Sequence, residues 1–360
     1  MSIKSLQVAR DNIRSSRLIT LDSLDLHAGQ VRVAIDRFAL TANNVTYAVA
    51  GDTIGYWHFY PGDERWGHVP CWGLGNVVES SHPDLVVGER LYGFFPMASE
   101  TVLTLDRVKP GQATEVSPHR CDLPATYNHY SRTAVEPATL QAMENERCIF
   151  FPLFATSYLL YDFLLDNAMF GAEAVLVGSA SSKTAFGMAK LLQDSSEVSA
   201  RIVGITSSGN ASFTQSLGAY DQVVTYGNED VLDAAESVAY VDMSGDARLT
   251  SALHQHFGES LRLSLAVGAT HWESFGAATE SLPGPKPEFF FAPAQIQKRD
   301  TEWGKGEVMR RATEAMMSLV DGVARGISIQ RIDDAERVRL VWSALVENRQ
   351  PASEAVIASL

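Results

Sequence analysis

The sequence predicts a two-domain α/β chain: a doubly wound parallel sheet joined to a second, mainly β, barrel-like domain. Three observations lead there. The 360 residues suffice for about two domains at ~100–200 residues each. Up to about residue 140 the chain reads as short strands divided by Gly, Pro and Asp. Beyond about residue 145 strands alternate with helices, the signature of βαβ units and a parallel sheet.

In the first half, "GQVRVAIDRFAL" (29–40) alternates apolar and polar positions behind a turn, as a half-buried strand does. "GNVVES" (75–80) and "GERLYGFFP" (88–96) are further strands. The loops between them are rich in aromatics, among them Tyr47, Tyr56, Trp57, Phe59, Tyr60, Trp66 and Trp72. "ATSYLLYDFLL" (155–165) carries a helical apolar face. Strands are expected at 174–178, 201–206, 222–226, 237–243 and 263–269, with helices between them that include 185–192 and 211–217. Residues 303–322 read as one long amphipathic helix whose stripe includes Val308, Ala312, Met316 and Leu319. "ASEAVIAS" (352–359) reads as a strand returning to the first domain. The expected boundaries are 1–145 plus 301–360 for the β-rich domain and 146–300 for the parallel sheet.

The formal net charge is −14, with 43 acidic against 29 basic residues. That balance argues against nucleic acid or an anionic membrane as partner. Cys71, Cys121 and Cys148 are too few and too scattered for a disulfide framework or a four-thiolate zinc lobe. The opening "MSIKSLQVARDNIRSSRLI" lacks the apolar core of a signal peptide. No apolar run approaches the ~20 residues that span a bilayer, so a cytoplasmic location is expected.

"AVLVGSASSKTAFGMAKLL" (174–192) joins an apolar run to an amphipathic one through a turn of tiny residues, a place that often holds phosphate. A Walker loop fits poorly: Lys183-Thr184 supplies its tail, but Val177 and Ser182 stand where its two glycines belong, and Asp242 is its one candidate magnesium partner. The strict dinucleotide spacing Gly-x-Gly-x-x-Gly is missing too. Small residues at Ser179, Ala180, Ser182 and Ala185 still let backbone amides approach a pyrophosphate, Lys183 adds a charge, and Ser181 and Thr184 complete the cofactor-binding turn. A plain strand-to-helix turn is the competing reading. The next strand ends "GITSSGN" (204–210), without the carboxylate of NAD-preferring folds. Thr206, Ser207, Ser208 and Asn210 suit a 2′-phosphate, which favours NADP(H), although they also suit a simple turn.

Six segments then fall into a familiar order: "GQVRVAIDRFALTANNVTYAVAG", "PCWGLGNVVES" with "VVGERLYG", "PLFATSYLLYDFL", the 174–192 turn, "SLGAYDQVVTYGNED" and "YVDMSGD". Together they resemble the medium-chain dehydrogenase/reductase superfamily, on the side of its zinc-free quinone oxidoreductases and enoyl reductases. The resemblance implies a Rossmann-type sheet and a GroES-like barrel. Zinc-dependent members carry Gly-His-Glu where this chain has Pro70-Cys71-Trp72, and a lone Cys71 cannot assemble a catalytic zinc shell. The family's pyrophosphate-turn glycines are replaced by Ser182, Lys183 and Ala185.

What the resemblance implies is NADPH-dependent, metal-free hydride transfer to an activated double bond or quinone. The acceptor would be a small apolar carbonyl, an α,β-unsaturated one or an acyl thioester. Tyr47 is the expected proton donor or oxyanion partner, with Asn44 orienting the substrate carbonyl. Thr156, Tyr226, Asp242, Gly268 and Ala269 complete the expected cofactor set. Tyr56 and Trp57, with Tyr127, His129, Tyr130 and Arg132 of "TYNHYSR", are expected to line the substrate entrance. Loop packing and an Asn turn compete for Tyr47 and Asn44, helix capping for Thr156, and a structural role for the "TYNHYSR" side chains. The resemblance also implies a homodimer. Two other readings stay open: a non-catalytic NADP(H)-sensing or partner-binding member, and bond cleavage or isomerisation without net redox chemistry.

Overall fold

The computed structural model describes residues 2–23, 25–267 and 282–360. The chain begins with strands β1 (Ser2–Ala9), β2 (Ser16–Asp22) and β3 (Gln30–Leu40), then helix α1 (Ala42–Val49). Strands β4 (Trp66–Gly67), β5 (Pro70–Ser80), β6 (Arg90–Pro96), β7 (Glu100–Lys109), β8 (Gln112–Glu115) and β9 (His129–Arg132) follow. Next come helices α2 (Ala138–Ala142) and α3 (Glu144–Asp166). Strand and helix then alternate through β10 (Ala174–Gly178), α4 (Lys183–Asp194), β11 (Arg201–Thr206), α5 (Ala211–Ser216), β12 (Gln222–Thr225), β13 (Val238–Asp242), α6 (Ala247–Phe257) and β14 (Leu261–Ala266). The chain ends with β15 (Glu288–Phe289), α7 (Ala292–Trp303), α8 (Glu307–Asp321), β16 (Ser328–Ile332), α9 (Ala335–Val346) and β17 (Glu354–Ala358).

Two compact units result, Met1–Ile149 with Ile329–Leu360, and Phe150–Ser328. The second crossing therefore falls near residue 328 rather than 301, because Val308 and Ala312 of α8 lie in the core of the second unit. The single helix expected over 303–322 begins only at Glu307. Gly304 and Gly306 adopt φ of 97° and 85°, a left-handed conformation that separates α7 from α8. One further expectation is corrected. Helix α3 is long and apolar enough to cross a membrane, but 67% of its most apolar window is buried inside the protein, which makes it a core helix.

The second unit holds a six-stranded sheet in the order β12-β11-β10-β13-β14-β15, every pairing parallel. Alternate residues face opposite sides. Val175, Val177 and Val241 pack with Leu160, Met188 and Leu192 of α3 and α4. Leu176, Val203 and Tyr240 pack with Leu249, Leu253 and Phe257 of α6. Burial on both faces explains why these strands read as continuous apolar runs. Strand order reverses between β10 and β13, and ligands of such sheets bind outside the carboxyl ends at that point.

Close packing of α4 on α3 depends on Gly187. A Cβ there would stand 2.6 Å from Ser157 Oγ and 2.7 Å from the Phe154 ring. Gly187→Val is expected to cost about 1–3 kcal/mol by overpacking. Denaturant unfolding checks this; a variant as stable as wild type would mean the contact yields freely.

In the first unit an eight-stranded sheet runs β16-β17-β3-β5-β6-β9-β8-β7, and β7 also pairs with β3. Six strands thus close into a barrel. The predicted C-terminal strand, β17, pairs antiparallel with β3. A smaller sheet, β2-β1-β4, completes the unit. Trp342 of α9 donates its indole N–H to Ile13 O at 2.9 Å and docks that helix beside the β1–β2 hairpin.

His68 is buried here, its ring contacting Gln7 Nε2 at 3.2 Å and Tyr60 O at 3.2 Å. Gln7 Oε1 accepts from Arg17, so the Gln7 amide donates to His68 Nε2 and His68 Nδ1–H donates to the carbonyl. Burial holds the imidazole below its ordinary value of 6.5. The unfolded chain therefore takes up a proton that the folded chain refuses. Stability from this site is full above about 6.5 and is lost as pH falls from there through the depressed value. Unfolding at stepped pH is expected to show that loss, and His68→Gln to flatten it.

Candidate functional site

At the carboxyl end of β10, Ser179 adopts φ 53°, where glycine is favoured. Ser182 N–H bonds back to Ser179 O at 2.8 Å, and Ser182 Oγ caps α4 by accepting from Ala185 N–H at 3.4 Å. Ala180 N–H donates to Ile205 O at 3.0 Å, seating the turn on β11. Lys183 and Thr184 open α4, whose first turn contains no acidic residue. First-turn amides have no intrahelical acceptor, and the helix dipole places positive charge there. The start of α4 thus has the chemistry to receive an anion, while the Ala180, Ser182 and Ala185 amides are bonded within the turn and to β11; Ser179 to Thr184 lie together at the point where strand order reverses.

The neighbouring strand ends differ from the sequence reading. Thr206 is buried and donates to Ser181 Oγ at 3.3 Å, and Asn210 Nδ2 donates to the same oxygen at 3.1 Å. Their side chains fasten the two turns together instead of lining the rim. Ser207 is half-buried and Ser208 exposed. Tyr226, just past β12, reaches the turn after β10 and hydrogen-bonds with Ser179; burial pushes its phenol up to about 12. Asp242 was expected beside the cofactor, but its buried carboxylate is spent on the turn into α6. It accepts from Ser244 N–H at 2.7 Å, Ser244 Oγ–H at 2.5 Å and Gly245 N–H at 3.1 Å. Thr156 Oγ–H likewise bonds within its own helix, to Pro152 O at 3.1 Å. Gly268 and Ala269 lie outside the described residues.

In the first unit the segment around Tyr47, taken from sequence as a loop, is helix α1. Asn44 is part of its capping box. Its Oδ1 accepts from Thr41 N–H at 2.8 Å, and its Nδ2 donates to Pro70 O at 2.9 Å. The amide pins α1 to β5 rather than presenting itself to a substrate. One turn on, Tyr47 is only 6% exposed. Its hydroxyl oxygen accepts from Trp72 Nε1 at 3.3 Å and Asn43 Nδ2 at 3.4 Å. A hydroxyl has two acceptor positions and one proton, so two donors on the oxygen turn the proton elsewhere. Burial, with Tyr56 next, holds this phenol above the ordinary value of 10 against those two donors, so it is protonated at neutral pH.

Around Tyr47 stand Tyr56, Phe94 and Tyr127, at ring-centroid distances of 4.5, 5.4 and 6.3 Å. Tyr56 and Tyr127 share a hydrogen bond of 2.9 Å between their hydroxyls. Trp72 stacks on Tyr92 at 5.5 Å, and the Arg147 guanidinium lies 3.9 Å from the Tyr92 ring centre. The other expected substrate residues go elsewhere. Trp57 is core, wedged against Gly51 and Gly67. Tyr130 is core too, donating to Phe94 O at 2.5 Å. Exposed His129 meets Gln112 at 2.6 Å, while Arg132 pairs with Glu89 at 2.7 Å. Strand β9 divides "TYNHYSR" because its successive residues face opposite ways. Among the described residues, no group of three His, Cys, Asp or Glu side chains converges to hold a metal ion.

Sequence reasoning missed Asn43 and Trp72 as the partners of Tyr47. Asn43 lies four residues before Tyr47 and would have been legible once α1 was read as a helix. Trp72 comes from a separate strand, and no spacing announces it.

A family model described as a protein of unknown function, DUF2855, matches residues 38–351. The chain belongs to that family. No curated protein matches it. Among solved structures, this DUF2855 chain is similar to CurA from Vibrio vulnificus in complex with NADPH, at 11% identity and a TM-score of 0.63, covering 99% of this chain and 98% of that one. The yhdH oxidoreductase from Salmonella enterica in complex with NADP is similar at 14% identity and a TM-score of 0.54, covering 99% of each chain. The quinone oxidoreductase from Coxiella burnetii is similar at 12% identity and a TM-score of 0.53, covering 100% of each. At these identities the likeness shows the fold, a Rossmann-type sheet with a GroES-like barrel, as the sequence resemblance implied.

Proposed function

We propose that this chain is an NADPH-dependent oxidoreductase that reduces an activated double bond or a quinone without a metal. The acceptor is an α,β-unsaturated carbonyl, which includes an acyl thioester. The observation that carries the reading is the Tyr47 hydroxyl, protonated, with two N–H donors on its oxygen. Bound NADPH supplies the hydride. The first turn of α4, with its dipole, would hold the diphosphate. Ser207, Ser208 and Tyr226 would hold the adenosine ribose, where the missing carboxylate admits a 2′-phosphate. The coenzymes named for two structures of the same fold, NADPH and NADP, support this choice.

Hydride addition to a conjugated acceptor leaves an enolate, and Tyr47 gives it a proton. Trp72 and Asn43 donate to the oxygen that becomes a phenolate and offset part of the burial that disfavours its charge. The Tyr56–Tyr127 hydroxyl pair stands beside Tyr47 to return the proton.

Incubating the full chain with NADPH and a panel of enones, quinones and acyl thioesters tests the reading. The expected result is loss of reduced-nicotinamide absorbance, faster than with NADH, and a product heavier by two hydrogens. Tight NADPH binding without consumption on any acceptor would instead favour an NADP(H) sensor.

A further inference from the structure

We propose that Ser181 tunes how this chain reads the 2′ position of the adenosine ribose, by holding two donors at the end of β11, the Thr206 hydroxyl and the Asn210 amide. The inference rests on the dinucleotide reading above. Ser181 lies in the turn after β10 and is 7% exposed. Its hydroxyl oxygen accepts from Thr206 Oγ1 at 3.3 Å and Asn210 Nδ2 at 3.1 Å. Two donors fill both acceptor positions of a hydroxyl, so the Thr206 hydroxyl and one of the two Asn210 amide hydrogens are committed to the neighbouring turn.

That end of the sheet is where such folds meet the adenosine ribose. It carries no carboxylate to repel a phosphate: the residues from Thr206 to Asn210 are Thr, Ser, Ser, Gly and Asn. The chemistry there accepts a 2′-phosphate, yet two of its best donors face inward. Ser181 therefore dampens discrimination between the phosphorylated and unphosphorylated coenzymes.

The turn does not need the Ser181 hydroxyl to stay in place. Ala180 N–H donates to Ile205 O at 3.0 Å, and Tyr220 Oη–H donates to Ala180 O at 2.8 Å. Thr214 Oγ1–H bonds Asn210 O at 2.9 Å and holds the start of α5. Removing one oxygen frees the half-buried Asn210 amide on an otherwise intact backbone, while Thr206 stays buried at 1% exposure. Donors to a charged phosphate make stronger hydrogen bonds than donors to a neutral hydroxyl.

Fluorescence titration of NADPH and NADH into wild type, Ser181→Ala and Ser181→Ala/Asn210→Ala tests this. In Ser181→Ala the preference for NADPH over NADH is expected to rise about 5- to 10-fold, the scale of one hydrogen bond to a charged group after reorganisation. The double variant is expected to lose most of that gain. A preference left unchanged in Ser181→Ala, or a parallel fall for both coenzymes, overturns the inference and makes Ser181 a structural fastener only. Wild type that binds neither coenzyme overturns the reductase reading, whereas wild type that binds with a ratio insensitive to Ser181 overturns the inference alone.

Discussion

Tyr47→Phe is expected to lower kcat by about 10²–10³-fold, within the usual range for loss of a general acid, while NADPH affinity stays within about twofold. The substitution keeps the ring, and with it the packing against Tyr56, Phe94 and Tyr127. It removes only the oxygen on which Trp72 and Asn43 converge. A phenol at or above its ordinary value of 10 is protonated at neutral pH, so no share of the enzyme lacks the acid. An interaction made only in the transition state lowers kcat and kcat/KM together, and that paired fall is what steady-state kinetics would record. A rise in KM with kcat intact would place Tyr47 in substrate binding instead. Unchanged kinetics would remove it from the chemistry.

Arg120→Met is expected to destabilise the barrel unit by about 3–5 kcal/mol, the cost of breaking a buried ion pair from one side. The Arg120 and Glu115 side chains are each 2% exposed and meet at 2.8 Å. Arg120 Nε–H also donates to Phe59 O at 3.1 Å, and the guanidinium lies 4.5 Å from the Tyr60 ring centre. Glu115 Oε1 accepts from Thr104 N–H, Ser117 N–H and Ser117 Oγ–H. Those bonds hold the carboxylate in place, so after loss of the guanidinium it cannot swing out to water. With domain stabilities of about 5–15 kcal/mol, much of the fold's margin would go. Arg120→Met/Glu115→Leu removes both charges and is expected to recover a large part of the loss. Denaturant unfolding of the two single variants and the double one gives the coupling directly. A single variant as stable as wild type would show that water or rearrangement relieves the charge.

Legibility followed the range of the forces involved. Strands β10 and β11 were placed to the residue from sequence because strands buried on both faces must be apolar throughout and stop at small turn residues. Helix α1 was not legible. "ANNVTYAV" is rich in turn-forming Asn, and its capping box places Asn44, not Glu or Gln, at the third helical position. The break between α7 and α8 was written in Gly304 and Gly306, yet the apolar stripe that follows them masked it.

At the candidate site, sequence proposed the right kind of group more readily than the partner that takes it. Thr206 and Asn210 were recognised as donors, but their acceptor, Ser181, lies 25 and 29 residues away. Asn44 likewise finds its acceptor 26 residues on, at Pro70. Local spacing carries no trace of such pairings; the register of strands creates them. Tyr47 was singled out for its residue type, whereas the two donors on its oxygen emerged only from the fold.

The central claim is that the turn between β10 and α4 receives the diphosphate of a nicotinamide coenzyme. Calorimetric titration of NADPH into the full-length chain tests it most directly. The account predicts saturable heat, one coenzyme per chain, competed away by adenosine 2′,5′-bisphosphate. Absence of heat with both NADPH and NADH would contradict it.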